Sequence, residues 1–341
     1  PEIITKFKDL TYLKLSDAGF NHLPKSIGAL TSLEWLDLSG NRMEAVPDSI
    51  EHLSSLEFLS LHETNLKTLP ETMGKLKSLE RLHFSHNGIN ALPEVLTELT
   101  SLEMLNLSQN ELSELPSSFS KLTSLEKLKL GRNHFKRFPE IITELLALEY
   151  LTLDHNDLTS IPDTVGKLKS LETLFLDENE LETLPKSFGN LKKLKELYLR
   201  ENMLTALPES LGNLKWLSSL ILTANRLSSL PPSIAKIPFI TRLYLDSNCF
   251  KKLPGSICKL TSLERLFLEG NSLSSLPECM KEMFSLVHLN ISENQFTKIP
   301  PFLIEMQGFQ MRGYVNLSGN PLEDPAEMIS KMKEIGMKID T

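Results

Sequence analysis

The stretch LETLFLDENELETLPKSFGNLKK, Leu171 to Lys193, decides the fold. Its opening L-x-x-L-x-L alternates with a period of two, so Leu174 and Leu176 turn to one face of a short strand and Phe175 to the other. Asn179 stands where the chain leaves that strand, and a buried amide there satisfies backbone groups of the turn and of the next coil. Pro185 fixes φ and removes a donor, which suits an irregular segment rather than a sheet. Phe175 is the residue this pattern leaves unexplained, since it points a phenylalanine into water.

The same pattern runs along the 341 residues. Proline recurs every 23 residues from Pro24 to Pro300, giving thirteen units from Leu10 to Gly308 that read LxxLxLxxNxLxxLPxxIxxLxx. Seven positions per unit demand an apolar residue, and every one is Leu, Ile, Val, Met or Phe. The asparagine column runs from Asn41 through Asn87, Asn110 and Asn133 to Asn320, and is broken at Ala18 and Thr64. Stacked repeats share one continuous core, which displaces the two domains that length alone suggests. Parallel strands are expected on one side of the stack, and one or two turns of helix or 3-10 after each proline on the other.

The fixed period with LxxLxLxxN resembles the leucine-rich repeat. The LPxxIxxL form is similar to the 23-residue intracellular class found in Ras-pathway scaffolds, Scribble/Erbin-type proteins and microbial relatives. The resemblance covers residues 1–322 and implies an α/β solenoid: a horseshoe with a parallel concave β-sheet and an irregular or 3-10 convex side. For function it implies protein binding and nothing narrower. The paired-cysteine caps of extracellular members are absent.

The two ends differ. Pro1 occupies the repeat's proline position, with Ile4 and Phe7 at the next two core positions, so residues 1–9 read as half a repeat. This points to a fragment or processed form of a protein that continues N-terminally; the alternative is that the half repeat is itself a cap. After Gly308 three residues are inserted before a last irregular repeat, residues 309–322. The segment 323–341 reads as a helical cap: Asp324 as N-cap, Pro325 at N1, Glu327 at N3, Met328, Ile329, Met332 and Ile335 on one face, and Gly336 to close it. Such a helix would cover the last coil and blunt an open sheet edge.

The net charge of −8 argues against nucleic acid or an anionic membrane as the main partner, since both need a basic face. No apolar run is long enough to span a membrane. Cys249, Cys258 and Cys279 are an odd count without CxxC spacing and read as buried or free thiols in a reducing compartment. The N-x-S triplets at Asn106, Asn290 and Asn316 fall in the repeat's own strand and turn and read as accidents of it. A monomeric cytoplasmic protein is expected.

Catalytic signatures are missing: there is no P-loop, HExxH or GxGxxG, and no cofactor is expected. The best metal candidate is His62, His83 and His86 with Glu63 nearby, since His83-x-x-His86 has some zinc-site spacing. The blander reading of a polar or pH-sensitive contact surface is preferred. The segment KIPF, Lys236 to Phe239, resembles a phosphatase-docking motif, but Ile237 occupies a core position and is not free to dock.

The register also sorts the outward residues. The second position reads Glu34, Glu57, Glu80, Glu103, Glu126, Glu149, Glu172 and then Lys195, a solvated edge with some acidic steering capacity. The fifth position is polar or small from Lys14 to Thr152. It then reads Phe175, Tyr198, Ile221, Tyr244, Phe267 before returning to Asn290 and Asn316. Aromatics make up 7% of the chain, so composition alone does not place four in five consecutive rungs. The five form a stripe about 19 Å long at strand spacing. Glu196, Arg242 and Arg265 flank it on one side, and Asp177, Arg200, Asp246 and Glu269 on the other. An apolar stripe with a charged rim is the pattern of a binding hot spot, and a partner protein is expected there. Tyr12, Trp35 and Phe58, at the third position, are expected to form a secondary contact or to pack on a region N-terminal to Pro1. Two rivals stay open: the recognition domain of a larger signalling enzyme (a GTPase, kinase or ubiquitin ligase), or a purely structural array.

Overall fold

The computed structural model describes residues 6–309 and 313–341. Pro1 and Ile4 of the half repeat, and Gln310 and Met311 of the insertion, lie outside these residues. The chain divides into two compact units, Pro1–Asp157 and Leu158–Thr341. The first holds strands β1 (Tyr12–Lys14), β2 (Trp35–Asp37), β3 (Phe58–Ser60), β4 (Arg81–His83), β5 (Met104–Asn106), β6 (Lys127–Lys129) and β7 (Tyr150–Thr152). The second holds β8 (Thr173–Phe175), β9 (Glu196–Tyr198), β10 (Ser219–Ile221), β11 (Arg242–Tyr244), β12 (Arg265–Phe267), β13 (His288–Asn290), β14 (Tyr314–Asn316) and β15 (Lys338–Asp340). Within each unit successive strands pair in parallel, and residues one repeat apart sit opposite each other, as Leu197 does with Leu220 and Tyr198 with Ile221.

The periodicity accounts for these elements. Of the template's apolar positions, all but Leu10, Leu15, Phe20 and Leu115 are buried. Each template proline from Pro24 to Pro300 precedes a five-residue 3-10 turn, such as Lys186–Asn190 after Pro185, whose φ is −70°. The proline carbonyl accepts the first bond of that turn, from Phe188 N–H at 3.1 Å. Adjacent turns pack closely: a Cβ on Gly212 would lie 2.3 Å from the Ser233 carbonyl oxygen, so only glycine fits there.

The asparagines form a ladder. Asn225 Nδ2 donates to the carbonyls of Leu222, at 3.1 Å, and Leu199, at 2.8 Å, while its Oδ1 accepts from Leu204 N–H at 3.0 Å. Thr64, at an interruption of the column, donates its hydroxyl to the Leu61 carbonyl and to Asn87 Oδ1. The residue before the asparagine position is left-handed in all thirteen units, with φ between +51° and +70°, and only Gly40 and Gly270 among them are glycines. A side chain in that conformation costs about 1 kcal/mol, which the ladder offsets.

Several expectations are corrected. Phe7 is 62% exposed rather than buried. Cys258 and Cys279 are joined in a disulfide, with Cα atoms 5.8 Å apart, and Cys249 is free and exposed. Their separation of 21 residues, two short of the repeat, brings the end of one 3-10 turn beside the start of the next. Helix α1 spans Ala326–Glu334 and has no side-chain cap; Asp324 sits at φ +46° rather than capping it. Gly336, at φ +84°, does close the helix, with Gly336 N–H bonded to the Lys333 carbonyl and Met337 N–H to that of Met332. Met332 is buried, while Met328, Ile329 and Ile335 are half-buried. The sheet edge is occupied by β15, which the sequence reading missed: Lys338 N–H donates to Gly313 O, and Leu317 N–H to Asp340 O.

Two results are expected from this arrangement. Asn225→Ala, which strips a buried amide from two carbonyls and one N–H, lowers unfolding free energy by about 3 kcal/mol in urea titration, whereas Ala224→Gly, at φ +55°, raises it by up to about 1 kcal/mol. Thiol titration of the native protein finds one reactive cysteine, Cys249, and three after reduction and unfolding.

Candidate functional site

Strand positions three and five flank a buried leucine and share the outward face, as Thr173 and Phe175 do around Leu174. On this face of the second unit the five predicted residues are half-buried and form two stacked pairs around an aliphatic gap. The rings of Phe175 and Tyr198 lie 4.0 Å apart and nearly parallel, and those of Tyr244 and Phe267 lie 4.5 Å apart. Ile221 stands between the pairs. The rings do not stop at Phe267. His288 lies 4.8 Å from it and Tyr314 4.6 Å beyond, so the run crosses diagonally from the fifth position to the third. Reading single columns hid this continuation; the third-position residues of the following two repeats were its signal.

The charged flank is a network. Ser219, in the third position of β10, is small enough for Arg242 and Glu196 to meet across it, with Nη2 and Oε1 3.7 Å apart. Tyr198 donates its hydroxyl to the other oxygen of Glu196 at 3.1 Å. Burial first, and then the Glu196 carboxylate, push the Tyr198 phenol up to about 12. Among the described residues, the buried Arg242 Nε finds no acceptor. Arg265 is exposed. His288 is held below the usual histidine range by burial and then by Arg265.

On the other flank Asp177 Oδ1 accepts from Arg200 N–H at 2.6 Å, and the exposed Arg200 guanidinium pairs with Glu201. Asp246 accepts from Glu269 N–H at 3.2 Å and from the Thr223 hydroxyl at 3.3 Å. Burial raises its carboxyl from the ordinary 3.8 to about 6, against these hydrogen bonds. Glu269 accepts from Asn290 Nδ2 at 2.7 Å. At the edge, Lys195 pairs with Glu172 at 2.6 Å where the acidic column ends.

In the first unit Tyr12, Trp35 and Phe58 also stack, with ring centres 5.8 Å and 3.5 Å apart. Tyr12 is 54% exposed, but Phe58 is only 8% exposed beneath Trp35, so it supports the stack rather than offering a surface. The structure brings His62, Glu63 and His86 together, with ligand atoms within 4.8 Å of one another, and leaves His83 out, its ring 5.3 Å from that of Phe58. Ile237 is 1% exposed, which removes KIPF as a docking segment, while the exposed Phe239 stacks on Trp216 at 5.6 Å. That pair lies outside the strand columns and was not anticipated.

The family model for the leucine-rich repeat region matches residues 2–87, 136–223 and 194–299, and that for the leucine rich repeat matches 90–135. The chain belongs to the leucine-rich repeat family. A leucine-rich repeat protein of Leptospira interrogans is 30% identical with a TM-score of 0.81, covering 99% of this chain and 98% of that one. An internalin of Listeria monocytogenes shares the fold at 21% identity and a TM-score of 0.75, covering 98% and 87%. A plant peptide hormone receptor in complex with RGF2 is 25% identical with a TM-score of 0.60, covering 92% and 64%. No curated protein sequence matches. This family and fold are typically non-catalytic modules that mediate protein–protein interaction. Among the described residues no helix is long and apolar enough to cross a membrane.

The raised carboxyl of Asp246 makes a pH prediction. The folded chain binds this proton more tightly than the unfolded one. The group's contribution to stability is therefore complete below about pH 4 and is lost as pH rises through about 6. Asp246→Asn keeps the acceptor and removes the charge, so the variant melts about 2 °C higher than wild type at pH 7.5 and gains nothing at pH 4 in scanning calorimetry.

Proposed function

We propose that this chain is a non-catalytic interaction module that grips a partner protein on the exposed strand face of its second unit. Phe175, Tyr198, Tyr244 and Phe267 are the anchors, and Ile221 fills the floor between them. The observation that carries the reading is the pair of half-buried ring stacks edged by the Arg242–Glu196–Tyr198 network. The rings are rigid, so a partner covering them loses little side-chain freedom. Arg242, Arg265, Arg200 and Asp246 form the polar rim that orients it. The plant receptor solved with RGF2 supports the general mode, since a protein of this fold there holds a separate molecule. Tyr12 and Trp35 form a second, smaller contact. A scaffold or adaptor role follows from a surface of this kind without catalytic groups.

The compartment reading shifts with the cysteines. The cytoplasmic placement rested on free thiols and on the missing paired-cysteine caps; the Cys258–Cys279 bridge favours an oxidising compartment instead.

The test is affinity purification with wild type and a Tyr198→Ser, Tyr244→Ser double variant side by side. Partner capture is expected to fall at least about a hundredfold, while the melting temperature falls only by about 2–4 °C through the lost stacking. Undiminished capture by a destabilised variant would make the stripe a structural device and sink the proposal.

A further inference from the structure

We infer that His62, Glu63 and His86, in the first unit, form a binding site for a divalent transition-metal ion, with Zn²⁺ as the fitting member of the class. The repeat itself builds the cluster. Glu63 and His86 occupy the same left-handed position in successive units, at φ +54° and +58°, and so stand side by side at the exits of β3 and β4. The left-handed turn also breaks the strand alternation that would send His62 and Glu63 to opposite faces. His62 Nε2 lies 3.9 Å from Glu63 Oε2, and the His62 and His86 ring centres are 6.0 Å apart.

Three features favour a metal over an incidental polar cluster. One ligand is already oriented: His62 Nδ1 lies 3.2 Å from the Ser85 carbonyl and 2.9 Å from the Ser85 hydroxyl. A carbonyl only accepts, so the tautomer that satisfies both contacts has Nδ1–H donating and leaves the Nε2 lone pair turned to Glu63. Zinc-ligating histidines usually donate their other ring N–H in this way, to a carboxylate, a backbone carbonyl or a water, which fixes the tautomer and the ring orientation. The distances are also within reach. Ligand atoms about 2.0–2.2 Å from a tetrahedral ion stand roughly 3.3 Å apart, so the present spacing of up to 4.8 Å closes by rotation of the exposed Glu63 and His86 side chains. Finally, two imidazoles and one carboxylate match a three-ligand zinc site with an open fourth position, and the nitrogens disfavour Ca²⁺ and Mg²⁺.

The test is calorimetric titration of the full chain with Zn²⁺ alone, alongside X-ray absorption of the loaded protein. Wild type is expected to bind one ion with a Kd of about 10 µM or below and a nitrogen/oxygen shell free of sulfur. His62→Gln, Glu63→Gln and His86→Asn are each expected to weaken binding at least about tenfold; asparagine is chosen at 86 because it tolerates the left-handed backbone. His83→Gln should leave affinity unchanged. Lack of saturable binding by wild type would overturn the site. So would binding that survives His62→Gln with His86→Asn, or a sulfur shell, which would place the ion on Cys249.

Discussion

A ladder of side-chain amides holds neighbouring coils in register. Asn225 bonds the carbonyl of Leu222, three residues before it, and the equivalent carbonyl of Leu199 one repeat earlier, and Asn41, Asn110, Asn202 and Asn248 repeat the pattern. The second contact spans 26 residues, which is the 23-residue period plus three. A coil longer or shorter by one residue would strip that carbonyl of its donor inside the core, where an unmet polar group costs about 1–3 kcal/mol. The left-handed residue before each asparagine aims the amide inward, and the proline turns close the coil. Constant spacing, parallel register and aligned surface columns all follow from this bond.

Aligned columns are what make a surface of chosen chemistry cheap to encode. Because Tyr198, Ile221 and Tyr244 stand opposite one another across β9, β10 and β11, five point choices on one column produce an apolar stripe without disturbing the core behind it. The same rule applies elsewhere. A serine at 219 lets Arg242 reach Glu196 over an intervening strand, and two polar residues in one left-handed column set Glu63 beside His86. Positions three, five, seven and eight vary in chemistry from coil to coil, while the leucine positions stay apolar.

The fold was legible in the sequence because its signal is a spacing, and spacing survives any choice of outward residue. Phe175, Tyr198 and Tyr244 were legible for the same reason, as departures within an otherwise polar column. What escaped depended on directions that spacing does not carry. The left-handed turn puts glutamate, histidine, arginine and alanine where only glycine would have signalled it. The His288–Tyr314 continuation runs diagonally, so no single column displays it. The Cys258–Cys279 bridge joins different positions of neighbouring coils, and β15 has only Ile339 to mark it between charged residues. Asp324 looked like a cap because its type and spacing were right, yet its backbone turns left-handed just before the helix.

The central claim is that recognition happens over the stacked rings of the second unit. Photo-crosslinking tests it most directly, using a photoreactive phenylalanine analogue in place of Tyr244 and, separately, in place of the exposed Trp216. The account predicts a partner adduct from position 244, mapped to one segment of one protein, and none from position 216. An adduct from 216 alone, or from neither position while the partner still co-purifies, would contradict it.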